Sequence, residues 1–391
     1  MALELLLYYA LLSSGEELDE QALVLSEEDS QRRDRRTPRI SLRRYSESSF
    51  KYMFNSGNNQ ALLNCCGVDH RVFRQLLELF SPVFNAYTFD DATGQIRKKV
   101  NHTGRPKQID DVGCLGLVLY WFRTRGSLAR ATTMAFNMTS TPTYKWLKFS
   151  RKVLLFVLQN HPHAVVVSPT ETEVNNYIEA IGRKYPALLE EKVWGAADGL
   201  KIPLAKCSNW RVQNQFYNSW VANTFVNCVF VFAPDGKIKA CILNAPGTFH
   251  DSAIADYGAY EKMEEIYNLY GGKVVVDSAF NLANKNYLVK SSQRDPDDAH
   301  GIVLNREATS VRQLSEWGMR MIQGSFPRLK DKLPYEEFNE RKIVQHLMVL
   351  LYNFQTHNIG INQILNTFMS QTEGFYSYGN TIAETADGTL P

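Results

Sequence analysis

Four acids, Asp198, Asp251, Asp277 and Glu316, stand where a folded chain would bring carboxylates to strand ends and helices. Asp198 closes the apolar run in KVWGAADGLKIPL, which reads as a strand, and Asp277 ends the run GGKVVVDSAF. Glu316 stands in SVRQLSEWGMRMI, a helix-like segment, and Asp251 opens the helix-like stretch that begins HDSAIA. Carboxylates gathered from different elements are what a pair of divalent metal ions needs. Such a pair, roughly 3.5–4 Å apart, clamps the attacking and leaving oxygens of a phosphodiester. Hard oxygen donors favour two Mg²⁺ or Mn²⁺ ions over Zn²⁺. The residues therefore suggest a metal-dependent enzyme that acts on nucleic acid.

The elements that must carry these acids follow from local patterning. VWGAAD, NTFVNCVFVF and IKACILNA read as three strands, the last two joined by the turn APDGK. The segment from Asp251 to Tyr270 reads as a helix, and KVVVD as a fourth strand. Strands joined by a tight turn run antiparallel, and a strand that follows a helix can run parallel. This order is compatible with an RNase H-like mixed α/β sheet. Residues 282–305 are mostly polar and read as a loop. The helix with Glu316 follows over 306–325, and IVQHLMVLLYNFQTHNIGINQILNTFM reads as one or two closing helices.

Ahead of the sheet the pattern is helical. Asp69 is placed to cap a helix in LLNCCGVDHRVFRQLLELFSPVF, and TFDDATGQIRKKVNHTGRPK reads as a loop. Residues 109–160 show three helices with short breaks. Gly126 ends the first, Ser127 can cap the second, and Thr141 with Pro142 opens the third. The third carries Lys145, Lys148, Arg151 and Lys152, so the segment has a helix-turn-helix pattern whose basic helix would contact DNA. The competing reading is an ordinary helical bundle with solvated lysines. The expected organisation is a charged arm over 1–50, a helical region over 51–165, a nuclease domain over 190–368 and a polar tail over 370–391.

The chain has 391 residues, 44% of them hydrophobic, enough for two or three domains with real cores. A net charge of +2 does not by itself announce a nucleic-acid binder. The charge is unevenly spread: eight acids fall in the first 30 positions, and seven arginines lie between Arg32 and Arg44. That block is either a solvated tail or an arm for nuclear import or DNA contact. The six cysteines form no CxxC pair, and the eight histidines are scattered, which argues against a zinc site and for reduced intracellular thiols. The apolar N-terminal run lacks a basic flank and does not read as a signal peptide. No stretch reaches the ~20 apolar residues that span a bilayer.

In this order and spacing, AADGLKIPL, NQFYNSW, VFAPDG, NAPGTFHDS, VVVDSAF, SVRQLSEWGMRMIQGSFPRLK and LLYNFQTHNIGINQI resemble the PIF/Harbinger transposases and the nucleases derived from them, within the DDE superfamily. The resemblance covers about residues 104–368. It implies a two-metal RNase H-like core in which Asp198, Asp277 and Glu316 are the carboxylate triad, the last two 39 positions apart. Asp251 is a fourth acid, either a direct ligand or one step removed, and the sequence leaves open which of Asp251 and Asp277 is the second core ligand. The resemblance further implies cleavage of double-stranded DNA at terminal inverted repeats and joining of the freed 3′-hydroxyl to target DNA. It also implies a nuclear location, a homo-oligomer and a separate Myb-like DNA-binding partner, with no membrane role.

Arg312, Arg320, Arg328 and Lys330 flank Glu316 and could hold phosphates. Trp210, Arg211, Phe216, Tyr217 and Trp220 could stack on an unpaired base beside the site, or form a buried aromatic cluster. The bland reading of each acid is a turn aspartate for Asp198, a turn cap for Asp277, a helix cap for Asp251 and a surface acid for Glu316. Two other functions compete with an active transposase. One is a domesticated relative that binds DNA without transposing. The other is a different class of metal phosphohydrolase, suggested by His250 beside Asp251, which would need more histidines at one site.

Overall fold

The strand Val193–Pro203, here β3, forms the spine because both of its edges are paired. In the computed structural model, residues 39–89, 96–99, 107–126, 128–290, 298–333, 338–360 and 362–369 are described. The acidic stretch, most of the arginine block, Ser127, most of the loop before residue 107 and the C-terminal tail lie outside them. Among the described residues the chain forms α1 (Ser49–Asn55), α2 (Asn59–Cys66), α3 (His70–Ala86), β1 (Tyr87–Phe89), β2 (Ile96–Lys98), α4 (Asp111–Arg123), α5 (Leu128–Phe136) and α6 (Ser140–Leu158). There follow α7 (Glu171–Gly182), α8 (Pro186–Glu190), β3, α9 (Trp210–Phe216), β4 (Tyr217–Asn218), β5 (Asn223–Phe232) and β6 (Ile238–Pro246). The last elements are α10 (Asp251–Ala255), α11 (Ala259–Tyr270), β7 (Lys273–Val276), β8 (Leu288–Lys290), α12 (Ala299–Ser325), α13 (Phe338–Ile359) and α14 (Gln363–Phe368).

The main sheet runs β6–β5–β3–β7–β8, with the short β4 paired to the start of β5. β5 is antiparallel to β3 and β6, whereas β7 and β8 run parallel to β3. The expected strand order is present, but the one helix expected over Asp251–Tyr270 is two, α10 and α11, parted at Gly258 with φ +128°, and the stretch expected to be a loop from Thr88 holds the paired β1 and β2. Two further details differ. β3 continues five residues past Asp198, because β5 pairs with it as far as Pro203, so Asp198 lies in mid-strand rather than at its end. The stretch expected to be a loop after residue 282 contains β8 and the first turns of α12. A three-residue strand is too short to show alternation, and the first turn of α12 is polar, with Asp298 accepting from the Gly301 N–H at 2.9 Å.

Three local anchors tie the helices to the sheet. Gly318 of α12 rests against the Phe232 ring of β5, where a Cβ would collide, so α12 lies close against the sheet. Asn353 of α13 takes the Ile238 N–H at 2.9 Å and donates to the Ile238 carbonyl at 3.1 Å, which satisfies the start of the edge strand β6. Asp235, in the β5–β6 turn, is more than a turn residue: it accepts from the Tyr177 hydroxyl at 2.7 Å and pairs with buried Lys239 at 3.1 Å, so it pins the hairpin to α7.

The helical region forms as expected at α3, where Asp69 accepts from the Val72 N–H at 2.7 Å. The three helices α4, α5 and α6 are present, with α6 beginning at Ser140 rather than at Thr141–Pro142. α6 packs against α3, α4, α5 and α13 at once. Its expected DNA-contacting Arg151 is only 5% exposed; its guanidinium lies 3.7 Å from the Trp121 ring centre and 3.9 Å from Glu340. Arg151 is therefore a core cation that joins α6 to α4 and α13. Lys145, Lys148 and Lys152 are half-buried, with Lys148 over Tyr144 at 4.8 Å. Arg328 is also held inside the fold, donating to the Gly126 carbonyl at 2.6 Å and to Asp331 at 3.4 Å. The six cysteines are free, and no described helix is long and apolar enough to cross a membrane.

The Asn353 clamp makes a direct prediction. Asn353→Ala would leave the Ile238 N–H and carbonyl buried without partners and lower stability by about 2–4 kcal/mol. Denaturant unfolding measures this, and a loss below about 0.5 kcal/mol, the size of an ordinary surface change, would show that the clamp is dispensable.

Candidate active site

Sheet register brings the first two acids together. Ala197 of β3 pairs with Val276 of parallel β7, so the next position on each chain sets Asp277 beside Asp198. One oxygen of each is fixed by a local backbone donor: Gly199 N–H to Asp198 Oδ1 at 2.7 Å, and Ala279 N–H to Asp277 Oδ1 at 2.7 Å. Asp277 thus holds its own turn, as the bland reading expected, and still stands next to Asp198.

Asp251 arrives from the other side of β3. β6 ends at Pro246, the chain turns through Gly247–His250, and Asp251 opens α10 at the same edge of the sheet. His250 occupies the cap position without a side-chain bond, so Asp251 is the first helical residue and not the cap. Its carboxyl group lodges against Gly199, where any Cβ would collide with it. Neighbouring residues of a strand point to opposite faces. Asp198 shares the face of Ala196, whose partner Phe232 meets α12, whereas Asp251 occupies the Gly199 face.

Glu316 rides on α12, the helix that packs against β3 and β7 on the Asp198 face. It pairs with Arg312 at 3.6 Å and Arg320 at 4.0 Å, and its side chain is 42% exposed. Arg312 also acts electrostatically on Asp198, favouring its charged form. Arg320 and Lys330 are exposed.

The electrostatics follow from burial and crowding. Burial, then the neighbouring Asp277 and Asp251 carboxylates, push the Asp198 carboxyl up to about 6, against the opposing pull of the Gly199 N–H and Arg312. Burial and then Asp277 raise Asp251 above the usual carboxylate range, opposed by Lys201 and His250. Asp198 and Asp251 thus sit in a region of concentrated negative charge whose donors are all oxygen, the chemistry that suits Mg²⁺ or Mn²⁺. Among the described residues, no three His, Cys, Asp or Glu side chains converge closely enough to ligate one ion as they stand.

Several residues that shape the site were not singled out in the sequence. Ser252 bonds the Tyr260 hydroxyl at 2.9 Å and accepts from the Asn281 N–H at 3.2 Å, which ties the Asp251 helix to the loop that follows Asp277. Its place in HDS, next to an acid, is the one hint the sequence holds. Lys201, two residues past Gly199 on the alternating strand, was hidden because β3 was expected to end earlier.

Residues 197–353 match the family model described as a DDE superfamily endonuclease, and all four acids fall inside the match. The match supports a transposase-derived DDE family with a nuclease-like domain. No curated protein and no solved structure matches the chain.

Two predictions come from the charge crowding. The folded Asp198 carboxyl titrates above its unfolded value, so the folded state holds the extra proton between about pH 4 and 6. Stability from this group is therefore lost as pH rises through about 6. Asp198→Asn should raise the metal-free stability at pH 7.5 by roughly 1–3 kcal/mol and leave it little changed at pH 4. Calorimetry at the two pH values checks this; an equal shift at both would contradict it. In wild type, Mn²⁺ should raise the melting temperature at pH 7.5. Gly199→Ala, by displacing Asp251, should shrink that rise, and an unchanged rise would show that Asp251 is not part of the cation site.

Proposed function

We propose that the chain is a metal-dependent DNA endonuclease of the PIF/Harbinger type. It cuts double-stranded DNA at terminal inverted repeats and joins the freed 3′-hydroxyl to target DNA. The observation that carries this reading is the register that sets Asp198 of β3 next to Asp277, the residue just past the end of parallel β7, with the Glu316 helix packed on β3 and β7. The strand order, with β5 alone reversed against β3, β6, β7 and β8, supports an RNase H-like core.

The protein's own groups divide the work. Asp198 and Asp277, each with one oxygen fixed by a backbone N–H, would present their other oxygens to the cations. Glu316 supplies a carboxylate from the helix side and Asp251 one from the Gly199 face. Two bound Mg²⁺ or Mn²⁺ ions would provide Lewis-acid activation of water and neutralise charge on the phosphodiester. Exposed Arg320 and Lys330 are placed to hold flanking phosphates, whereas Arg151 and Arg328 have structural partners. If the segment works as a helix-turn-helix, the exposed Thr141 and Tyr144 near the start of α6 would face the groove. A nuclear location, a homo-oligomer and a Myb-like partner complete the reading.

A second reading has one observation in its favour. Glu316 is engaged by two arginines rather than converging on the aspartates, as would suit a domesticated DNA-binding protein that no longer cuts. Supercoiled DNA carrying the source element's terminal repeats, incubated with Mg²⁺ or Mn²⁺ and the partner protein, separates the two. The endonuclease reading expects metal-dependent nicks at the repeat ends, reduced at least 100-fold by Asp277→Ala. Binding without nicking would establish the second reading instead.

A further inference from the structure

Two tryptophans in the segment between β3 and β5 stand in solvent. Trp220 is 94% exposed and Trp210 67%, with Tyr217 and Val221 also exposed, while Phe216 alone of the aromatic group is buried. The buried-cluster alternative raised by the sequence is therefore wrong for all but Phe216. An indole left in water forgoes the burial that usually drives Trp inward.

The backbone holds these rings out rather than leaving them loose. β4 and β5 form a hairpin closed by Asn218 and Asn223, and Trp220 sits in its four-residue tip. Ala222 in that tip has φ +51°, a left-handed conformation disfavoured for a residue with a Cβ. The Val221 N–H donates to Asn218 Oδ1 at 3.3 Å and props the tip.

The arm is stapled to the loop that delivers Asp251. Asn218 Nδ2 donates to the Gly247 carbonyl at 3.0 Å, and the Thr248 hydroxyl to the Gln215 carbonyl at 3.1 Å. Gly247 sits so tightly against the Phe216 and Phe225 carbonyls that a Cβ would collide with both. Asp251 follows four residues later. The segment from the end of β3 to the arm carries a single sign of charge: Lys201, Lys206 and Arg211 are basic, all three are exposed, and no acid occurs between Asp198 and Asp235. Arg211 lies 5.7 Å from the Trp210 ring centre.

We propose that this arm is a stacking platform for unpaired nucleobases of the DNA strand bound at the carboxylate edge, with Trp220 and Trp210 as the stacking faces. Solvated aromatic rings alternating with cations, free of acids, are what a flexible single strand recognises, since every base offers a π-face and every phosphate a charge. This specificity role rests on the DNA reading above and adds a preference to it: distorted or gapped DNA over fully paired duplex.

The test measures binding in Ca²⁺, without cleavage, to two oligonucleotides of equal length, one a paired duplex and one with a short unpaired gap. Wild type should prefer the gapped DNA, with quenching of tryptophan fluorescence. Trp220→Ala should reduce the gapped-to-paired affinity ratio about tenfold, because one stacked base is worth roughly that much. Trp220→Phe should restore most of the ratio, and the melting temperature should stay constant because the ring is solvated. A ratio unchanged in both Trp220→Ala and Trp210→Ala, with DNA still bound, overturns the platform and leaves the endonuclease reading standing. Wild-type protein that binds neither DNA overturns both.

Discussion

The parallel pairing of β3 with β7 is the constraint on which the rest depends. It ends β7 one residue before Asp277, level with Asp198 of β3, and the Asp277 carboxylate adds to burial in disfavouring the charge on Asp198. A fold dominated by hydrophobic strands such as NTFVNCVFVF has no structural need for this repulsion. Its cost makes sense as the resting cost of a site that a cation would relieve. Arg312 and the local N–H donors moderate the repulsion without removing it.

Around that pair the molecule is built in two tiers. Close in, the Gly199 surface and the Ser252–Tyr260–Asn281 links fix how α10 and the post-β7 loop approach β3. Farther out, α13 joins the sheet to the helical region. It clamps β6 through Asn353 and packs on α6, whose Arg151 reaches back to Glu340. Helical region and sheet share one contiguous buried cluster, so the helices before residue 165 are set against the candidate site by packing rather than tethered loosely to it.

Much of this was legible in the sequence because strands and acids leave local marks. Alternation, turn dipeptides and the acids that end apolar runs placed β5, β6, β7, Asp198 and Asp277 near their true relations. What failed depended on tertiary partners. The polar residues after Asp198 mask a continuation of its strand that only β5 reveals. Charge alone groups Arg151 with Lys145, Lys148 and Lys152. The helical period instead puts it on the face of Leu147, Leu154 and Leu158, where Trp121 receives it. The exposure of Trp220 had no local signal, since nothing in the chain says which aromatic will lack a cover.

The central claim is that Asp198 and Asp277 form one cation site facing α12, with Asp251 approaching from behind. Anomalous diffraction from a Mn²⁺-soaked crystal of the protein tests it most directly. The expected result is a manganese peak bonded to carboxylate oxygens of both Asp198 and Asp277. Manganese bound by Asp251 without Asp277, or bound only elsewhere on the chain, would contradict it.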